Sequence, residues 1–159
     1  MFKKIILMLV IFISILSCSS DNSSNPEDKI SSATMKINGV PMTFQIMGYD
    51  LHPVANGYQL TLDFSRYVNM PADEQYNISI VTKYKKTGHN IITQFNYYQS
   101  VLGQGFFANF VSEGNFMSDV SVNNNKQFKC TASGSMTINS QTVTITDLKI
   151  NDIYDEPLD

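Results

Sequence analysis

Cysteine is scarce in this 159-residue chain: there are two, Cys18 and Cys130. Two thiols cannot supply the disulfide framework on which small secreted domains depend. None is required, because a chain of this length buries roughly 70% of its extended surface. Histidine is as rare. His52 stands before Pro53 and His89 after Gly88, and both read as exposed loop residues rather than metal ligands. Positive charge is sparse too, with 11 Lys and Arg against 14 Asp and Glu and no basic run longer than Lys85-Lys86. A phosphate backbone needs a clustered cationic face, so nucleic acid is excluded as a partner.

Long apolar runs are missing as well. The longest covers residues 5–16, shorter than the roughly 20 residues a spanning helix requires. Gly-x-Ser-x-Gly does not occur, and Gly134-Ser135 falls within a predicted strand instead of a strand-to-helix elbow. No loop follows the Asp-x-Asp/Asn-x-Asp/Asn-Gly order of a calcium site. The acidic residues Asp152, Asp155, Glu156 and Asp159 therefore read as a solvated tail, and Asp119 as part of an ordinary turn. These absences lead to the expectation of a non-enzymatic protein without cofactor or metal. Cys130, flanked by Phe128 and Ala132, reads as a lone buried thiol.

What is present begins at the N-terminus. Lys3 and Lys4 precede the apolar core of residues 5–16, and small Ser17 stands just before Cys18, the three parts of a secretory signal. Residues 19–32 hold almost no apolar side chain except Ile30 and include Pro26, a composition that cannot offset chain entropy by burial. The expected division is a signal over 1–17, a tether over 18–32, a folded domain over 33–153 and an acidic tail over 154–159.

Ile15-Leu16-Ser17-Cys18 resembles a bacterial lipobox. The resemblance implies cleavage between Ser17 and Cys18, and a diacylglyceryl thioether with an added N-acyl chain on Cys18. Two or three acyl chains at about 0.8 kcal/mol per buried CH₂ hold a protein to a bilayer without any spanning helix. Ser19, where retention at the inner membrane favours Asp, implies the outer membrane. Asp21, Glu27 and Asp28 partly resemble the surface-export signal of Bacteroidota lipoproteins, so a periplasmic and a surface-exposed position both stay open.

From Thr34 onward no helical period persists, and short alternating runs are separated by turn residues. Asn38-Gly39 predicts a type I′ hairpin between residues 35–37 and 42–46. Further strands are predicted at 58–64, 76–84, 90–98, 106–112, 116–122, 127–138 and 142–150. In the last, Val143 and Ile145 have the opposite parity to Leu148 and Ile150, which predicts a β-bulge near Thr146-Asp147. About nine antiparallel strands predict an all-β sandwich, with a calycin-like up-and-down barrel as the alternative. Residues 33–44 and the approach from Ser133-Gly134-Ser135 to residues 142–146 resemble the first and last hairpins of uncharacterised flavobacterial-type outer-membrane lipoproteins; no activity comes with that resemblance.

Aromatic residues are the one enriched feature. Phe95, Tyr97, Tyr98, Phe106, Phe107, Phe110 and Phe116 crowd a short stretch, and adjacent residues on a strand face opposite sides. An outward platform drawn from Tyr97, Tyr98, Phe106, Phe107 and Phe110 could bind an envelope protein or a glycan. The leading expectation is a lipid-anchored, non-enzymatic binding or assembly module. A structural or inhibitory lipoprotein docking through a sheet edge is the second, and a carrier of a small apolar ligand inside a closed barrel the third.

Overall fold

Residues 32–66, 74–138 and 140–158 are described by the computed structural model, so the signal, Cys18 and nearly all of the tether lie outside the described residues. Ten strands follow one another: β1 (Ser32–Ile37), β2 (Val40–Val54), β3 (Gly57–Arg66), β4 (Glu74–Lys83), β5 (Gly88–His89), β6 (Ile92–Val101), β7 (Gln104–Asn109), β8 (Asn115–Asn123), β9 (Gln127–Ile138) and β10 (Gln141–Ile153). One short helix, α1 (Phe110–Glu113), joins β7 to β8.

Period-two alternation makes these strands. β3 buries Leu60, Leu62 and Phe64 and exposes Asp63 between them. β4 buries Tyr76, Ile78 and Ile80 with Asn77 and Ser79 on the other side. Each fully buried apolar side chain contributes about 1.5–3 kcal/mol, so a one-residue slip would reverse every one of these faces at once. The Asn38-Gly39 turn has φ of 50° and 82°, the positive pair that a type I′ hairpin needs and that Gly39 accepts without strain. The bulge expected at Thr146-Asp147 is also present: pairing with β9 shifts between Ile145 and Leu148, and Asp147 has φ of 54°.

The sheet order is β5-β8-β9-β10-β1-β2-β3-β4-β6-β7. Apart from two-residue β5 and the step from β7 to β8, chain neighbours are sheet neighbours, and the last strand pairs with the first. All ten strands thus belong to one antiparallel sheet curled into a half-barrel. The all-β, antiparallel expectation is met, in a form consistent with sandwich or barrel-like packing.

β7 and β8 do not pair, and aromatic side chains cover this break in the half-barrel. Phe110 on α1 is wholly buried. Its ring meets Phe95 edge-on at 5.8 Å and Tyr97 at 6.4 Å. Phe95 stacks on Phe116 of β8 at 4.9 Å. The strand predicted over 106–112 ends early, at Asn109, because the Asn109 Oδ1 accepts from the amides of Val111 (3.1 Å) and Ser112 (3.4 Å), an N-cap that turns the chain inward. Gly114 lets α1 lie on β9: a Cβ there would stand 2.8 Å from the Ser135 carbonyl oxygen and 2.9 Å from the Met136 Cβ.

Backbone stitches hold the other side of the break. β5 pairs with Val120 and Asp119 of β8, and the Asn123 Nδ2 donates to the carbonyls of Lys83 (2.9 Å) and Lys86 (3.0 Å). His89 is therefore in a strand and not a loop, and His52 likewise lies within β2; the sequence signals of Pro53 and Gly88 were outweighed by pairing with β3 and β8. The acidic tail also needs correction. Inward parity continues past Ile150 to Asp152, 1% exposed, and Tyr154, 4% exposed. The Tyr154 amide donates to the Lys126 carbonyl and the Leu158 amide to that of Asn125, both at 3.0 Å. Asp155 and Glu156 are exposed as expected.

Replacing the seam ring, Phe110→Ala, is expected to lower unfolding stability by about 3–5 kcal/mol, measured as a shift of the urea midpoint. Truncating the outward ring beside it, Phe107→Ala, is expected to change stability by no more than about 0.5 kcal/mol.

Candidate ligand-binding cleft

The five aromatics expected to form a platform divide between the two faces of the sheet. Tyr97 and Phe110 are fully buried, and Phe106 is half-buried against the core, 6.3 Å from the Tyr97 ring. These three belong to the interior because they share the parity of Phe95 and Ala108. The Tyr97 hydroxyl donates to the Gln99 Oε1 at 3.0 Å, and burial raises its pKa above the ordinary tyrosine value. Tyr98 and Phe107 point outward, directly opposite each other across the β6–β7 pair; Phe107 is 60% exposed.

These two rings border a concave cleft of about 380 Å³ on the outer face of β3, β4, β6 and β7. Register builds it in two rows. Asp63 pairs with Ser79 and Ser79 with Asn96; beside them Ser65 pairs with Asn77, Asn77 with Tyr98 and Tyr98 with Phe107. Gln75 also lines the cleft. Met47, 56% exposed, comes from β2, where a bulge between Ile46 and Gly48 adds a residue and turns its side chain outward. Sequence reasoning missed the polar members. Outward parity was the available signal, but their convergence requires the registers of four strands.

Elsewhere some polar groups are engaged in ion pairs, while the Ser118 Oγ is buried without a partner. A larger cleft of about 510 Å³ lies over β5, β8, β9 and β10. Its His89 Nδ1 stands 3.2 Å from the Asp119 Oδ1, and its Asp147 Oδ2 stands 2.8 Å from the Lys36 Nζ. The hydrogen bond between Lys36 and Asp147 raises the lysine pKa and lowers that of the carboxylate. His52 contacts Asp50 at 2.8 Å, two residues away on the same face of β2. Both histidines are exposed, as expected, but each has a carboxylate neighbour that the sequence reading overlooked. Among the described residues no three His, Cys, Asp or Glu side chains gather in a metal-binding group, and no helix is long and apolar enough to cross a membrane.

Cys130 is buried and free, as expected. Burial, then the nearby Asp119, pushes its thiol up to about 12. The folded state therefore holds a proton that an unfolded thiol releases near pH 9. This stabilisation is complete below pH 9 and is lost as pH rises towards 12, at about 1.4 kcal/mol per pH unit. Between pH 8.5 and 9.5 the unfolding free energy is expected to fall, and to fall less steeply in Cys130→Ala, as measured by urea titration; buried Tyr97 and Tyr154, whose pKa values burial also raises, supply part of the slope that remains.

Comparisons with protein-family models, curated proteins and solved structures found no match, so the functional reading rests on the chemistry of this chain.

Proposed function

We propose that this protein is an outer-membrane lipoprotein, held by acyl chains on Cys18, that acts as a non-enzymatic binding module through the Tyr98–Phe107 cleft. The observation that carries the binding role is a concave, strand-built site that combines the exposed Phe107 ring and the half-buried Tyr98 ring with polar side chains that have no protein partner. Few polar groups converging beside apolar surface is the usual composition of a ligand site. Support for the anchor comes from Ile15-Leu16-Ser17-Cys18 and the short apolar core before it.

Ser32, the first residue of β1, stands fourteen chain steps after Cys18. At no more than about 3.6 Å each they limit the domain to within roughly 50 Å of the lipid surface. A sheet edge has less in its favour as a docking element, since the two edge strands are β5, two residues long, and β7, six residues long; short edges resist strand addition. The carrier reading is weakened by side chains such as Phe44, Phe64, Phe95, Tyr97 and Phe128, all less than 2% exposed inside the sheet.

Cys18→Ala is expected to abolish incorporation of an alkynyl fatty-acid probe and to move the protein from the membrane fraction to the soluble fraction. Retention of probe or of membrane association in that variant would overturn the anchor.

A further inference from the structure

In the Tyr98–Phe107 cleft Ser65 donates to the Tyr76 carbonyl at 3.4 Å, but several neighbouring polar side chains have no protein partner. Several asparagines outside it are committed to the fold. Asn38 accepts from the Thr144 amide at 2.8 Å, Asn90 from the Ser118 amide at 2.9 Å, and Asn124 from the amides of Lys126 and Gln127 at 2.8 and 2.9 Å. Asn109 caps α1 and Asn123 clamps the β4–β5 turn. Within the cleft, Asn77 and Asn96 are half-buried on strands, and neither amide, nor the Ser79 hydroxyl, nor the Asp63 carboxylate, has a side-chain partner among the described residues. A half-buried carboxamide without a protein partner leaves its two donors and its acceptor free for water or a ligand.

We infer that the cleft binds a neutral glycan, an inference that rests on the binding-module reading above. Each carboxamide both donates and accepts, as each sugar hydroxyl does, so Asn77 and Asn96 match a pair of neighbouring hydroxyls. Asp63 is the one acidic or basic side chain in the lining, and it supplies a strong acceptor for a hydroxyl hydrogen. With no cation in the lining, the site has nothing to recruit a phosphorylated or carboxylated ligand. The electron-rich faces of Tyr98 and Phe107 suit the polarised C–H groups on one face of a pyranose ring. A Cβ at Gly105 would stand 3.7 Å from Cε2 and Oη of Tyr98; the missing side chain leaves that flank of the tyrosine uncovered. A protein partner suits the site less well, because a stable interface needs about 800 Å² per partner, whereas this cleft is small and Met47 and Phe107 are the large exposed apolar side chains in its lining.

The test uses the full lipidated chain in nanodiscs, which avoids glycosidic detergents, titrated by calorimetry with neutral gluco-, manno- and galacto-oligosaccharides of both anomeric linkages. At least one is expected to bind saturably. Phe107→Ala and Asn96→Ala are each expected to weaken binding at least about tenfold, while Met117→Ala, exposed on the opposite part of the sheet, changes it less than about twofold. Circular dichroism and urea midpoints establish that the variants remain folded. No binding by any of these sugars, or binding equal in Phe107→Ala, overturns the glycan. A photo-cross-linker at position 107 in intact cells separates the two readings. A polypeptide adduct without sugar binding overturns the glycan and keeps the cleft as contact surface, whereas neither sugar binding nor an adduct overturns both.

Discussion

A meander whose last strand pairs with its first must still close somewhere, and here the closure depends on aromatic rings instead of ladder hydrogen bonds. Phe95 from β6 meets Phe110 from α1 at 5.8 Å and Phe116 from β8 at 4.9 Å across the break. Ring pairs of this kind contribute about 0.5–1.5 kcal/mol beyond the surface they bury. They also exclude water from a gap where two strand edges would otherwise face it. The backbone stitches of β5 and Asn123 fix the β4–β6 connection against β8, but the apolar seal between β6 and β8 comes from the rings.

The same alternation joins stability to binding. Tyr97 and Phe106 turn inward to the seam, and their chain neighbours Tyr98 and Phe107 turn outward to the cleft. No loop is needed to place the outward pair. The strands that position them are held by a buried core, so the rings and the amides of Asn77 and Asn96 are arranged before any ligand arrives, which lowers the entropy lost on binding.

Local physics made much of the fold legible. The Asn38-Gly39 hairpin, the bulge at Thr146-Asp147, the faces of β3 and the buried Cys130 all follow from residues within a few positions of one another. What escaped depended on distant partners. Asp119 falls in the strand expected over 116–122, but its neighbour His89, on another strand, was not foreseen. Asp152 was assigned to a solvated tail, yet the inward parity of Leu148 and Ile150 carries it inside. The capping role of Asn109 ended a strand that its hydrophobic neighbours had extended on paper.

The sequence by itself determined an all-β chain, the places where it turns, and the fact that adjacent aromatics must occupy opposite faces, because side-chain period and turn geometry are properties of a few consecutive residues. Only the tertiary structure decided which ring of each pair is sealed in the seam and which borders the cleft, and only it brought Asp63, Asn77, Asn96 and Phe107 onto one surface. Those outcomes follow from inter-strand register and sheet curvature, which are set by contacts between residues far apart in the chain.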